Sequence, residues 1–189
     1  MTEKEVLELF EKNNALLKGH FKLSSGLHSE KYLQCALVLQ YPDITEKLAK
    51  ALAAKFFKDK IDIVVGPALG GVTFAYEVAR ALGVRGLFTE REEGAMTLRR
   101  GFSIAKGEKV LVVEDVVTTG KSTNEVIDVV KAAGGIVVGV GSVIDRSDKE
   151  PDFKVKFESL AKIKVETFNT ENCPLCKNGI QVIKPGSRK

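Results

Sequence analysis

Three short apolar runs rich in β-branched residues stand out along the chain, at residues 61–68 (IDIVVGPA), 109–117 (KVLVVEDVV) and 136–145 (IVVGVGSVID). Runs of this length predict strands that are buried on both faces of a sheet. Residues 71–83 and 122–135 place apolar residues at helical spacing and end in glycine, as helices with a glycine cap do. This alternation predicts an α/β fold with a central, mostly parallel sheet flanked by helices.

A further amphipathic helix is predicted over residues 43–59, ahead of the first core strand. Leu48 and Leu52 fall on one face of this helix, and Asp43 or Thr45 is placed to cap its N-terminus. The helix is therefore expected to pack against the sheet and to lead into the first strand.

A small N-terminal hood is predicted at about residues 18–41. Ser24, Ser25 and Gly26 form a turn signal between two apolar alternations, which favours an antiparallel hairpin. Beyond Asp145 the pattern becomes irregular, and only the run IKVETF resembles a strand.

Length and composition fit one domain. The chain has 189 residues, of which 44% are hydrophobic, enough for one good core but tight for two domains. We therefore assign residues 1–189 to a single domain, with its core at about 43–165 and with the hood and a C-terminal tail around it.

Charge and the N-terminal sequence narrow the possible partners. The formal net charge of +4 suits anionic ligands but is too small to indicate a nucleic-acid-binding protein. The first residues, MTEKEVLELFEKNNALL, carry acids and lysines between apolar positions, unlike a signal peptide or a membrane span. We expect a soluble cytoplasmic protein without a nucleic-acid or membrane partner.

The strongest candidate for chemistry is VLVVEDVVTTGKST, at residues 110–123. It ends like a Walker A loop, but Asp115 stands where that loop needs a glycine. The turn at residues 118–122 can instead direct backbone N–H groups and hydroxyls at a phosphate, near the positive end of a helix. Glu114 and Asp115 would face opposite ways in a regular strand, but a turn at the strand end would let both accept hydrogen bonds from a sugar diol. Diol and phosphate together indicate a ribose 5-phosphate.

An apolar run, two acids and Thr-Thr-Gly-x-Ser resemble the phosphoribosyl-diphosphate fingerprint of the type I phosphoribosyltransferases. The resemblance implies a phosphoribosyl-diphosphate site that takes residues from the fingerprint and from the GPALGG loop. Its members are Glu114, Asp115, Val116, Val117, Thr118, Thr119, Gly120, Lys121 and Ser122, with Ala68, Gly70 and Gly71. Asp115 is also assigned a catalytic role. The glycines additionally allow a simpler interpretation, as a turn that starts a helix.

Segments outside the fingerprint resemble the orotate phosphoribosyltransferases within that family. They are FKLSSGLHSEKYLQ in the hood, GPALGG, and Asp145-Arg146. The resemblance implies transfer of a phosphoribosyl group to orotate in pyrimidine (UMP) biosynthesis, with Arg146 and Thr118 contacting the base. It also implies Mg²⁺ as cofactor, without an assigned protein ligand, and a homodimer. Arg146 has an alternative role as a surface residue paired with Asp145 or Asp148.

Residues 89–107 (TEREEGAMTLRRGFSIAKG) are interpreted as a glycine-flanked loop that closes as a lid. In the family this lid brings a lysine and a histidine to the neighbouring subunit, whereas residues 87–103 of this chain contain neither. Arg91, Arg99 and Arg100 are therefore the candidate catalytic cations. Neighbouring glutamates leave open that they are ordinary solvated charges.

Cys173 and Cys176 offer half of a tetrahedral zinc site, and no nearby residue in the sequence supplies the other half. A zinc site shared across a dimer, a disulfide and an idle loop remain open, the last two being favoured together. His20 and His28 are interpreted as surface or hydrogen-bonding residues, and Cys35 as a buried small residue.

Two other functions remain open. One is a phosphoribosyltransferase for another base, which Arg146 argues against because a purine has no carboxylate to meet it. The other is a regulator on the same fold that binds RNA or DNA, which the dispersed lysines disfavour.

Overall fold

The computed structural model describes residues 1–23, 25–149 and 151–185. In chain order its elements are α1 (Glu3–Lys12), β1 (Leu16–Lys22), β2 (His28–Leu33), α2 (Ala36–Leu39), α3 (Pro42–Lys55), β3 (Ile63–Pro67), α4 (Gly70–Leu82), β4 (Arg85–Glu92), β5 (Ala95–Leu98), β6 (Lys109–Val117), α5 (Lys121–Ala132), β7 (Ile136–Asp145), β8 (Lys156–Lys162), β9 (Thr167–Phe168) and α6 (Pro174–Lys177), with a 3₁₀ turn at Thr170–Asn172 before α6.

A six-stranded sheet of order β5-β4-β3-β6-β7-β8 forms the centre of the molecule. Neighbouring strands run parallel except β5, which returns antiparallel to β4. The α/β prediction is confirmed, because β3, β6 and β7 occupy the three apolar runs and α4 and α5 follow the first two of them. The carboxyl ends of β3, β6 and β7 lie side by side, the usual place for a ligand in such a sheet.

Alternate residues of the central strands fill two apolar clusters, one on each face of the sheet. Val64 and Leu111 join the cluster formed with α3 and α4, whereas Val65 and Val112 join the cluster formed with α5. All four side chains are fully buried, and such burial stabilises the fold by about 1.5–3 kcal/mol per large apolar side chain. The two-sided core holds the strand ends in fixed positions.

The predicted cap of α3 is wrong. Tyr41 is the N-cap, Pro42 occupies the first turn, and no side chain caps the helix. The buried Thr45 hydroxyl instead donates to the carbonyl oxygens of Leu39 (3.1 Å) and Tyr41 (2.9 Å). Proline has no N–H to be capped at this position.

The hood is a three-stranded sheet of order β1-β2-β9. The hairpin prediction is confirmed by the antiparallel pairing of β1 with β2, although Ser24 lies outside the described residues. The irregular region expected after Asp145 instead contains β8, a parallel edge strand. Within the predicted IKVETF strand, only its last two residues form β9. β8 is an edge strand of the sheet among the described residues, and its apolar residues, Phe157, Leu160 and Ala161, do not alternate regularly with polar ones.

In the part of the chain that the structure describes, no helix combines the length and apolarity needed to cross a membrane.

Candidate functional site

Glu114 and Asp115, called the acid pair below, lie within β6, which continues to Val117. The expected turn at the acids is therefore absent, yet the carboxylates converge on the start of α4. A Cβ atom added to Gly71 would lie 3.0 Å from Glu114 Oε1, and one added to Gly70 would lie 2.8 Å from Asp115 Oδ1. The two glycines thus leave room for the acid pair beside the N-terminus of α4.

The hydrogen bonds of the acid pair come from neutral donors. Glu114 accepts from the Ser122 hydroxyl and from the Asp115 amide, both at 3.2 Å, and Asp115 Oδ1 accepts from the Val116 amide at 2.9 Å. Among the described residues, neither acid has an ion pair with a lysine or an arginine. Burial raises the pKa of both carboxyls, and the negative charge of Asp115 raises that of Glu114 further. A cation or a hydroxyl donor would relieve this cost.

Residues 118–122, called the phosphate loop below, comprise the three residues between β6 and α5 and the first two residues of α5. Gly120 is the N-cap of α5, with a left-handed φ of 74° and without a side-chain cap. A Cβ atom there would lie 2.9 Å from the Phe153 ring, so a larger residue would be both strained and crowded. The Lys121 amide donates to Thr119 Oγ1 at 3.3 Å, so the other amides of the first turn of α5 are the candidates for binding an anion.

The loop after β3 has a more limited set of donors than expected. The Ala68 amide, a predicted diphosphate donor, donates to the Thr89 carbonyl oxygen at 2.7 Å and would have to break this bond to bind a ligand. α4 begins at Gly70 rather than near Val72, and its N-terminus has no side-chain cap. The amides of Gly70 and Gly71 therefore remain as the candidate anion donors of this loop.

A cavity of about 840 Å³ separates the hood from the phosphate loop. Four of the predicted site residues border it: Val116, Thr118, Thr119 and Arg146. The acid pair, Gly70 and Gly71 lie instead at the neighbouring start of α4. The predicted residues are thus divided between a cavity and an adjoining strand-end surface.

Arg146 follows β7 and is half-buried at this cavity. Between described residues, no ion pair joins it to Asp145 or Asp148; Asp145 instead pairs with Lys162 at 3.0 Å and accepts from the Ser147 hydroxyl at 2.5 Å. Burial lowers the pKa of the Arg146 guanidinium because a charged group loses hydration there. The alternative of a paired surface arginine is therefore not realised.

The cavity also contains residues that sequence reasoning did not assign to the site. They are Tyr32 and Gln34 from the hood, and Lys184 from the tail. Lys22, at the end of β1, borders it too. The two-residue spacing of Tyr32 and Gln34, which places two side chains on one face of an extended segment, could have indicated that both border the site. No pattern in the sequence predicts that Lys184 borders it.

The predicted lid is an ordered β-hairpin of β4 and β5 rather than a loop over its first half. Each candidate arginine pairs with a carboxylate: Arg91 with Glu125, Arg99 with Glu92 (3.2 Å) and Arg100 with Glu90 (2.8 Å). Arg100 also lies over the Phe88 ring, 5.6 Å from its centroid. These pairs agree with the solvated-charge interpretation, and none of the three arginines borders the cavity.

A second cluster lies away from this site. His20 and His28, expected at the surface or in hydrogen bonds, are buried and lie beside Cys173 and Cys176. The sequence was expected to supply no second half for a zinc site at the cysteine pair. This expectation is wrong, because two histidines of the same chain lie beside the cysteines. Cys35 is buried as predicted.

Several known proteins are similar to this chain. Residues 38–173 match the phosphoribosyl transferase domain family. The orotate phosphoribosyltransferase of Caldanaerobacter subterraneus is 58% identical over 189 residues, covering 100% of both chains. That of Pelotomaculum thermopropionicum is 57% identical over 189 residues, again covering 100% of both.

Solved structures give the same fold. The orotate phosphoribosyltransferase of Aeropyrum pernix has a TM-score of 0.67 at 26% identity, over 84% of this chain and 93% of that chain. An adenine phosphoribosyltransferase of Thermoanaerobacter pseudethanolicus has a TM-score of 0.60 at 20% identity, over 70% of this chain and 88% of that chain. The second likeness concerns the fold alone, which therefore does not determine the base.

Proposed function

Because this chain belongs to the orotate phosphoribosyltransferase family, we propose that it transfers the 5-phosphoribosyl group of phosphoribosyl diphosphate to orotate. The products are orotidine 5-phosphate and diphosphate, a step of UMP biosynthesis. The observation that carries the proposal is the position of Arg146 and the phosphate loop on one cavity, at the ends of adjacent strands β6 and β7. A ligand with a phosphate at one end and a carboxylated ring at the other fits this arrangement.

The phosphate loop is the proposed site of the 5-phosphate. Its amides other than that of Lys121, which bonds to Thr119 Oγ1, and the hydroxyls of Thr118 and Thr119 are the donors, and the N-terminus of α5 adds a favourable dipole. The acid pair is the proposed site of the two ribose hydroxyls. Hydroxyl donors would satisfy these two carboxylates, buried in Glu114 and half-buried in Asp115, which have no cationic partner among the described residues.

The diphosphate is assigned to the N-terminus of α4, next to the acid pair. Gly70 and Gly71 leave room for close approach and provide uncapped amides. The oxygen-only donor set of the acid pair fits Mg²⁺, which prefers oxygen ligands and keeps several waters. Glu114 and Asp115 would be the protein carboxylates nearest to it, and bound Mg²⁺ would neutralise charge on the departing diphosphate.

The proposed reaction is a displacement at carbon 1 of the ribose. A ring nitrogen of orotate forms the new C–N bond while the C–O bond to diphosphate breaks, with the electron pair leaving on diphosphate and the proton of that nitrogen passing to the diphosphate or to water. No covalent enzyme intermediate is needed. Arg146 holds the orotate carboxylate through its planar fork, and the phosphate loop fixes the ribose phosphate, so the protein acts mainly by orienting the reactants.

The arginine hairpin, defined as residues 89–100, is proposed to supply cations to the diphosphate of a partner subunit in a homodimer. Its arginines are exposed and ion-paired in the single chain. Exposed pairs contribute only about 0–1 kcal/mol, so a diphosphate can replace the glutamates at little cost. Three free thiols fit the reducing conditions of the cytoplasm, the proposed location.

The decisive experiment follows orotate ultraviolet absorbance in the presence of the protein, phosphoribosyl diphosphate and Mg²⁺. Adenine, hypoxanthine and uracil serve as parallel substrates. We expect consumption of orotate only. Consumption should stop when a chelator removes Mg²⁺ and should resume when Mg²⁺ is restored. Consumption of another base would assign a different phosphoribosyltransferase activity, and no consumption of any base would contradict the enzymatic proposal.

A further inference from the structure

His20, His28, Cys173 and Cys176 bring four metal-binding atoms together at the junction of the hood and the tail. His20 lies on β1, His28 begins β2, and the cysteines lie at the start and within α6. All four ligand atoms lie within 4.8 Å of one another. We propose that these residues bind a zinc ion that fastens the C-terminal tail to the hood.

The distances fit a tetrahedral site with two nitrogen and two sulfur ligands. Cys173 Sγ and Cys176 Sγ lie 3.6 and 3.7 Å from His20 Nε2, and Cys176 Sγ lies 3.3 Å from His28 Nδ1. Ligand bonds of about 2.3 Å to sulfur and about 2.0–2.1 Å to nitrogen put neighbouring N and S ligands about 3.5 Å apart. The two nitrogens are 2.8 Å apart and would separate by about 0.5 Å around an ion of this size.

The orientation of His20 adds an independent argument. Its Nδ1 lies 2.6 Å from the Ile180 carbonyl oxygen, which can only accept a hydrogen bond. The proton is therefore on Nδ1, and Nε2 presents its lone pair to the cluster. A backbone carbonyl that fixes the other nitrogen in this way is the usual support of a histidine metal ligand.

Burial and ligand type also favour zinc. His20, His28 and Cys173 are 2%, 4% and 0% exposed, and buried polar groups of this kind are normally fully paired. Cys176 is exposed, and both cysteines are reduced. Two thiolates and two imidazoles in tetrahedral positions suit Zn²⁺, whereas Mg²⁺ requires oxygen ligands.

The proposed ion has a structural consequence for the tail. The Ile183 amide donates to the His20 carbonyl oxygen and the Lys22 amide donates to the Ile183 carbonyl oxygen, both at 2.8 Å. The next residue, Lys184, borders the cavity. A metal that links residues about 150 positions apart would limit the freedom of this tail in the unfolded chain and hold it beside the cavity.

The test is metal analysis of the full chain, purified under reducing conditions without a chelator. We expect about one zinc per chain in the wild type, and less than about a tenth of that in the double variant Cys173→Ser/Cys176→Ser. Cys35→Ser is the matched control, because it removes a buried cysteine outside the cluster, and it should retain zinc. Asp115→Asn should retain zinc as well, which separates this site from the proposed catalytic one.

Cobalt substitution tests the ligands in the wild-type protein, so the result does not depend on whether a variant folds. Co²⁺ should give strong tetrahedral d–d bands and thiolate charge-transfer absorption, both lost when Zn²⁺ is added. Trypsin should release the tail near Lys177 faster from chelated protein than from zinc-loaded protein.

Three results would overturn the proposal. The first is a wild type that takes up no zinc or cobalt when each is added alone. The second is equal zinc binding by the double-cysteine variant. The third is a thiol titration that finds only Cys35 free in metal-free protein isolated with its native redox state, which would assign a disulfide instead.

Discussion

The end of β6 and the arginine hairpin both carry clustered charges, but only the charges of the hairpin are paired with groups of opposite charge. The acid pair is largely buried, has raised carboxyl pKa values and lacks a cationic partner among the described residues. The hairpin arginines are exposed, and each has its own glutamate. Uncompensated buried charge is costly to a fold, so it indicates a ligand site more strongly than paired surface charge does.

The largest expected effect is from Asp115→Asn. The change keeps the shape of the side chain but removes its charge and replaces one of its two acceptor oxygens with an NH₂ donor. Because charged hydrogen bonds contribute about 1.5–3 kcal/mol each, kcat/KM should fall by about 10²-fold or more. Steady-state kinetics with orotate would measure this decrease in kcat/KM. A decrease of less than about threefold would show that Asp115 does not belong to the site.

The hairpin arginines should have the next largest effect. The triple change Arg91→Ala/Arg99→Ala/Arg100→Ala should lower kcat by about 10–100-fold, as expected for removed transition-state cations, with little change in melting temperature. Arg80→Ala is the control, since Arg80 is also exposed and paired, with Glu46 and Glu77. Full activity of the triple variant would restrict these arginines to surface pairing.

Mixing the triple variant with Asp115→Asn tests whether the hairpin acts on a partner subunit. If it does, a mixed dimer contains one site with both an intact acid pair and an intact hairpin, and activity should recover to a measurable fraction of the wild type. Absence of recovery after subunit exchange, confirmed by differently tagged chains, would assign the hairpin to its own subunit.

Arg146→Ala should act on one substrate only. Loss of a charged, two-point contact should raise the Kd of orotate by about 10–100-fold, while the Kd of phosphoribosyl diphosphate changes little. Calorimetry with each ligand would separate the two. Arg85→Ala removes an exposed arginine paired with Glu108 at 2.8 Å and serves as control; unchanged orotate affinity in Arg146→Ala would refute the assignment.

The smallest expected effect is a gain in stability from Glu114→Gln. Burial and Asp115 raise the pKa of Glu114, so the folded protein binds this proton more tightly than the unfolded chain does. The free energy of unfolding of the wild type therefore falls as pH rises from the pKa of Glu114 in the unfolded chain through its raised pKa in the folded protein. Glutamine does not titrate, so the variant does not lose this stability. The ligand-free variant should melt about 2–6 °C higher at pH 8.5, with a difference that shrinks towards pH 5.

Glu8→Gln, at an exposed position paired with Lys4, is the control for that measurement. A melting difference in Glu114→Gln that is independent of pH would show that burial of its charge is not the cause. Together with lost activity, the expected pattern would mark the acid pair as a costly feature retained for ligand binding.

Much of the fold follows from local patterns that are strong on their own. The β-branched runs of β3, β6 and β7 are buried on both faces, and short turns connect β3 to α4 and β6 to α5. The alternation of strand and helix patterns in the sequence therefore specified the parallel sheet. The turn between β6 and α5 was predictable for the same reason, because the residues that form it are consecutive in the chain. The cap of α3 and the strand β8 were not, since tertiary contacts override weak local signals.

The sequence by itself determined the α/β fold, the phosphate loop, the acid pair and the position of Arg146 at the end of a core strand. Only the tertiary structure decided that the two carboxylates converge on Gly70 and Gly71, that the hairpin arginines are paired, and that His20 and His28 meet Cys173 and Cys176. The physical reason is sequence separation. Local hydrogen bonding and burial periodicity are determined by neighbouring residues, whereas contacts between distant residues depend on how the whole core packs.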